Sequence, residues 1–143
     1  MNERYIRQTM IPEIGEAGQE KLKNAKVLIV GIGGLGSPIS LYLTAAGVGQ
    51  IGLIDDDIVS KSNLQRQILY TEAEIGQSKV ECACRRLSAL NSSTRFETYP
   101  NRFTPDNANQ LVSAYDIIVD GCDNAATRYL IDDVCSRFKK PYV

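Results

Sequence analysis

An α/β fold, a mostly parallel sheet with helices on both faces, is what this 143-residue sequence predicts. Three observations carry that expectation. Apolar, β-branched runs such as KVLIVG (26–31) read as strands covered on both sides. Stretches of helical spacing alternate with them, which calls for right-handed crossovers between parallel strands. A glycine-rich turn, VGIGGLG (30–36), stands between the first such strand and the helix after it.

The elements follow in order. GEAGQEKLKNA (15–25) has the pattern of a short, polar-faced helix. After the first strand, GGLGSPISLYLTAAGVG switches to helical spacing, with Leu35, Ile39, Tyr42, Leu43 and Ala46 on one side. Pro38 suits a first helical turn, and Gly47 and Gly49 suit its end. QIGLID (50–55) is a second strand. SKVECACRRLSAL then places Val80, Ala83, Cys84, Leu87 and Leu90 on one helical face, and Ser78 with Glu81 predicts a capping box at its start. RFETYP (95–100) alternates as a strand, PDNANQLVSAY (105–115) reads as a helix, and DIIVDGCD (116–123) as another strand. In residues 124–140 Thr127, Leu130, Ile131, Val134 and Phe138 fall in helical register. The closing PYV reads as the onset of a fifth strand, so the sequence predicts a fold truncated there, the first portion of a longer one.

Composition narrows the function. Hydrophobic residues make up 43%, charged residues 23%, and the formal net charge is −1, which gives no support for a nucleic-acid or polybasic membrane binder. The polar start MNERYIRQTMIPEIG is neither a signal peptide nor a span, and a cytoplasmic location is the expectation. Four cysteines, at 82, 84, 122 and 135, form no pair of C-x-x-C clips and read as small buried residues. With no histidine anywhere, Ser-His and Cys-His catalysis and histidine metal sites are excluded within this chain.

The chemistry-bearing residues start with the G-x-G-x-x-G glycines Gly31, Gly33 and Gly36, with Gly34 inside the turn. Such a turn lets backbone amides and a helix N-terminus approach phosphate oxygens. Any Rossmann-like domain shows one. Asp55 closes the second strand 19 residues after Gly36, where a carboxylate binds ribose hydroxyls. NAD-dependent and ATP-using enzymes both satisfy that much. The run SNLQRQ (62–67), with Ser62, Asn63, Gln65 and Arg66, comes next. Lys79 then opens a helix, where a cation opposes the macrodipole unless it is solvated or an anion sits between them. Asp123 and Asn124 follow a strand end, where ligands gather in open sheets; they suit either helix capping or, for Asp123, Mg²⁺ beside phosphates. An arginine, a lysine and such an aspartate around a nucleotide turn describe phosphate handling, which hydride transfer does not require.

RYIRQ, VLIVGIGGLG, SNLQRQILY, IGQSKVE and DGCDNAATR occur in that order. With their spacing the chain resembles the ubiquitin-activating-enzyme-like adenylyltransferases, the ThiF/MoeB/HesA family of thiamine and molybdopterin biosynthesis. The resemblance covers essentially the whole chain. It implies that residues 1–143 are the N-terminal portion of a longer ATP-binding adenylation domain. The implied reaction is attack by the C-terminal Gly-Gly carboxylate of a ubiquitin-like sulfur carrier on the α-phosphate of MgATP.

By the same resemblance Gly34 lies against the nucleotide and Asp55 on the ribose. Ser62, Asn63, Leu64, Gln65 and Arg66 form a nucleotide-binding run, in which Asn63 and Arg66, with Lys79, contact phosphates. Asp123 is the Mg²⁺-associated aspartate with Asn124 beside it. Arg7 reaches the ATP site of a neighbouring subunit, which implies a homodimer. No specific chemistry falls to Gln65 or Gln67. Structural Zn²⁺ is expected only in a further C-terminal part, and none of the four cysteines matches a zinc ligand or a cysteine nucleophile.

The expected function is therefore ATP-dependent adenylation of a sulfur-carrier protein, with DDDIVSKSNLQRQILYT pointing to the thiamine branch. The alternatives are adenylation of a carboxylate on a modified tRNA base or a peptide, an NAD-dependent oxidoreductase, and a catalytically inactive module.

Overall fold

The computed structural model describes residues 3–143. Four parallel strands form one sheet in the order β3-β2-β1-β4: β1 (Lys26–Val30), β2 (Gln50–Ile54), β3 (Arg95–Tyr99) and β4 (Ile117–Asp120). β1 pairs with β2 from Lys26↔Gln50 to Val30↔Ile54, and with β4 from Val27↔Ile117 to Val30↔Asp120. The helices are α1 (Ile6–Thr9), α2 (Gly15–Asn24), α3 (Gly36–Ala46), α4 (Lys79–Leu90), α5 (Pro105–Ala114) and α6 (Ala125–Phe138).

Strand alternation divides the core into two layers. Val27 and Ile29 of β1, with Ile51 and Leu53 of β2, pack against Val80, Ala83 and Leu87 of α4. Leu28 and Val30, with Ile118 of β4, turn to the other face, against Ala108 and Val112 of α5 and Ile131 and Val134 of α6. Helices on both faces agree with the sequence expectation. The closing residues begin a fifth strand beside β4: Tyr142 bridges Ile118 in parallel, and Asp120 N donates to Val143 O at 2.7 Å. No helix among the described residues is long and apolar enough to cross a membrane.

Two local expectations are corrected. The apolar face assigned to α3 is only partly the buried one: Ile39 and Leu43 pack against the core beside the buried Ser37, Ser40 and Thr44, whereas Leu35 and Tyr42 are 53% and 77% exposed. Small residues let this helix lie close to its neighbours, and Ser40 Oγ satisfies itself on Ser37 O at 2.9 Å. The capping box at Ser78 is also absent. α4 starts at the expected place, but no side chain caps it, and Glu81 instead accepts from Thr98 Oγ1 at 3.0 Å. Cross-sheet partners outcompete the local motif.

Three glycines permit the crossing on which the site is built. A Cβ on Gly36 would stand 2.1 Å from Gly31 O, and one on Gly121 2.5 Å from the same oxygen. Gly31 itself adopts φ 88° and faces the Gly121 carbonyl. The end of β1, the start of α3 and the end of β4 therefore meet backbone to backbone, with no room for side chains.

Candidate functional site

A cleft of about 1150 Å³ opens over the carboxyl ends of β1, β2 and β4. This is where the strand order reverses on either side of β1, the ordinary ligand position in an open α/β sheet. Its floor is the glycine turn. No side chain caps α3; Ser37 N donates to Gly33 O at 2.9 Å and Pro38 carries no N–H, so what this end offers an anion is the helix dipole above the glycine turn.

The turn is braced from two sides. Asp55 Oδ2 accepts the Ile32 amide at 2.8 Å, and its Oδ1 accepts the Asp57 amide at 2.9 Å. Tyr70 Oη donates to Ile32 O at 2.6 Å, and burial followed by the nearby Asp55 charge pushes this phenol far above its ordinary range. Asp55, expected to meet ribose hydroxyls, lines the cleft and also locks the glycine turn to the end of β2.

The stretch from Lys61 to Tyr70 forms one wall. Asn63 Oδ1 accepts Ser60 N at 3.3 Å and closes the turn Lys61–Asn63. Arg66 donates to Ser62 O at 3.3 Å, and its Cγ and Cδ lie 3.5 Å from where a Gly34 Cβ would stand. Absence of a side chain at Gly34 thus leaves the guanidinium stem and the glycine backbone adjacent, with the charged group exposed.

Lys79 joins the cleft as expected, but from a buried position. Its side chain is 4% exposed, and Nζ sits 3.1 Å from Asp57 Oδ2. The cation at the start of α4 is neither solvated nor bare, since the carboxylate of Asp57 offsets the dipole conflict. Lys79 N donates to Asp57 O at 3.1 Å, so two bonds fix the helix start to the acidic loop.

On the opposite wall Asn124 caps α6, its Oδ1 accepting Thr127 N at 2.9 Å. Both readings of the Asp123–Asn124 pair therefore divide between the two residues: Asn124 caps, while the Asp123 carboxylate lines the cleft and makes no hydrogen bond or ion pair among the described residues. Arg128 donates to Cys122 O at 3.1 Å and lies 3.7 Å from Asp120 Oδ2. Cys122 Sγ donates to Asp120 Oδ1 at 2.7 Å, and burial raises its thiol above the ordinary value, so it stays protonated.

The structure thus gathers Gly31, Gly33, Gly34, Asp55, Asn63, Arg66, Lys79, Asp123 and Asn124 around one cleft. It does not bring in the rest. Gly36 is buried at the backbone crossing. Ser62 pairs with Ser60 Oγ at 3.0 Å, Leu64 packs on the core, and Gln65 is exposed. Arg7 is exposed on α1, away from its own chain's cleft. Gln8 fixes that segment by donating to Ala46 O at 3.1 Å, and Tyr5 Oη accepts Asn91 Nδ2 at 2.8 Å.

Sequence reasoning missed Asp57, Gln67, Arg102 and Arg128. Asp57 lies two residues beyond Asp55 and pairs with a lysine 22 residues on, a separation with no local signal. Arg102, which meets Asp56 at 3.3 Å, follows a strand end, a position that could have flagged it.

Oxygen donors suited to a hard cation occur in two places. Asp55, Asp56 and Asp57 bring carboxylate oxygens within 4.8 Å of one another. They are committed to backbone amides, Arg102 and Lys79. Asp123 is not, and its free carboxylate is what a phosphate-bound Mg²⁺ requires.

The ThiF family model matches residues 5–143. A sulfur carrier protein adenylyltransferase from Thermus thermophilus is 48% identical over 141 residues, covering 99% of this chain and 52% of that protein. The adenylyltransferase and sulfurtransferase MOCS3 from Culex quinquefasciatus is 52% identical over 140 residues, covering 98% of this chain and 32% of that protein. Among solved structures, the E. coli tRNA N6-threonylcarbamoyladenosine dehydratase TcdA in complex with ATP superposes with a TM-score of 0.90. It is 31% identical, over 97% of this chain and 57% of that one. The chain thus spans between 32% and 57% of the length of these relatives.

Proposed function

The chain belongs to the ThiF family, and from that premise we propose that the protein is an ATP-dependent adenylyltransferase acting on the C-terminal Gly-Gly carboxylate of a ubiquitin-like sulfur carrier. The observation that carries this reading is the meeting of Arg66 and Lys79 with the uncapped start of α3 around one cleft. Two cations and a helix N-terminus suit a polyphosphate. The names of the curated relatives, at 48% and 52% identity, support the choice of carrier protein as substrate.

The chemistry needs no histidine, and the chain has none. A terminal carboxyl has a pKa of about 3.5, so it is ionised at neutral pH and attacks without a general base. One carboxylate oxygen forms a bond to the α-phosphorus. The bond from that phosphorus to the bridging oxygen breaks, and pyrophosphate leaves with the electron pair. The protein's part is alignment and neutralisation of charge on the phosphates. Arg66 and Lys79 supply the charge, the glycine turn gives the backbone approach, and Asp55 accepts from ribose hydroxyls. Asp123 would hold Mg²⁺, which would supply further charge neutralisation.

The reading extends to a homodimer in the cytoplasm, in which Arg7, exposed on the pinned N-terminal segment, reaches the partner's cleft. It also extends to thiamine biosynthesis as the branch served.

ATP–pyrophosphate exchange tests the proposal. Exchange that appears on adding a Gly-Gly-ended carrier, and vanishes in Asp123→Asn, is expected. Exchange driven instead by a tRNA or a peptide, or by no carboxylate at all, would sink it.

A further inference from the structure

The described residues hold three buried side-chain atoms without a hydrogen-bond partner: Ser37 Oγ, Thr44 Oγ1 and Gln67 Oε1. The first two lie on α3, facing the protein interior. Gln67 differs, because it lines the cleft while being only 4% exposed. Its carboxamide makes no hydrogen bond with any described residue.

Gln67 is rigidly placed. Its backbone amide donates to Asn63 O at 2.9 Å, and its carbonyl accepts the Tyr70 amide at 3.2 Å. Leu69 and Tyr70 beyond it are buried in the core. Its Nε2 lies 3.3 Å and its Cδ 3.8 Å from where a Gly33 Cβ would stand, so the carboxamide meets the glycine turn with its nitrogen end. A solvent-facing glutamine would be satisfied by water, and a core position would be filled at lower cost by Leu or Met. A desolvated, unpaired amide beside a phosphate-type turn is explained by a ligand that completes it. The orphan buried atom is the acceptor Oε1; the group nearest the turn is the donor Nε2, which has no hydrogen-bond partner among the described residues either, and the ligand at this turn is an anion.

We propose that Gln67 is a ligand-contacting residue whose carboxamide donates to a phosphate oxygen of the nucleoside triphosphate seated on Gly33 and Gly34. This rests on the nucleotide reading above. Arg66 and Gln67 then divide the work: the arginine supplies charge from the exposed side, and the glutamine supplies a neutral, oriented donor from the buried side. A neutral donor discriminates by geometry where the arginine discriminates by charge.

The test is calorimetric titration of the wild type and Gln67→Met with ATP and, separately, with adenosine, alongside the melting temperature of each protein without nucleotide. Methionine keeps the volume and removes the unpaired atom. ATP binding is expected to weaken by about tenfold or more, while adenosine binding is unchanged. The melting temperature of the free protein should hold or rise, since an unsatisfied buried group has gone. Wild-type affinity for ATP in Gln67→Met would overturn the proposal and leave the nucleotide reading standing. Equal weakening toward ATP and adenosine would place the amide on the nucleoside and overturn the phosphate contact. A melting temperature several degrees lower with unchanged ATP affinity would make Gln67 structural. Wild type that binds no ATP would overturn this inference together with the nucleotide reading.

Discussion

Replacing Asp57 by alanine should destabilise the protein more than replacing Lys79 by methionine. The asymmetry comes from burial: the Lys79 side chain is 4% exposed and that of Asp57 68%, with 3.1 Å between Nζ and Oδ2. Two unit charges at that distance attract by about 5 kcal/mol at an effective dielectric of about 20. Solvent around the exposed carboxylate screens roughly half of this, which leaves about 2–3 kcal/mol. Asp57→Ala forfeits it and strands an ammonium in the interior. Lys79→Met leaves a carboxylate that water already solvates, so its cost should stay at or below about 1 kcal/mol. The double variant should then be more stable than Asp57→Ala alone.

Urea denaturation reads all three. A fall of roughly 6–9 °C in melting temperature is the matching expectation for Asp57→Ala, at about 3 °C per kcal/mol for a domain of this size. Equal losses in the two single variants, or a double variant no better than Asp57→Ala, would refute the argument. Adenylation should show the reverse ranking. On the proposed nucleotide reading Lys79→Met removes a phosphate contact while keeping the fold, so its exchange rate should drop by orders of magnitude.

Two further outcomes follow. Gly36→Ala should abolish folding, since its Cβ would overlap Gly31 O at 2.1 Å, whereas Gly34→Ala, with Arg66 carbons 3.5 Å away, should fold normally and bind nucleotide more weakly; circular dichroism and ATP titration separate the cases. Burial holds the phenols of Tyr70 and Tyr115 and the thiols of Cys82 and Cys135 above their ordinary values, so the folded state keeps protons that the unfolded chain releases. That stability is fully present below the unfolded thiol value of about 8.5 and declines as pH rises past it and past about 10 for the phenols. A urea midpoint that stays flat from neutral pH to pH 10.5 would contradict the assignment.

The sheet was legible because its strands are short apolar runs, whose fate depends little on which neighbour covers them. KVLIVG and QIGLID are buried on either face alike. Helix faces were less legible where small polar residues do the packing. Ser37, Ser40 and Thr44 look solvent-facing by hydropathy, yet close approach rewards their size, and Leu35 and Tyr42 are left outside. At the site, Gly34, Arg66 and Asp123 could be found from motif order. Asp57 could not, because its partner sits on a helix 22 residues away and only the folded sheet brings them together. Gln67 was quoted within a motif but carried no signal of its own. Its meaning lies in a missing hydrogen bond, which only coordinates reveal.

The meeting of Gly31, Gly36 and Gly121 has a consequence for how such a sequence can diverge. Where three main chains touch, inherited change has almost nothing to act on: any side chain there is lethal to the fold, so the crossing is frozen. The rim is freer by contrast, since Arg102 and Arg128 line the same cleft with largely exposed side chains, from a loop and a helix. Substitutions that alter what the cleft takes up are therefore expected at the rim, with the cradle beneath left as it is.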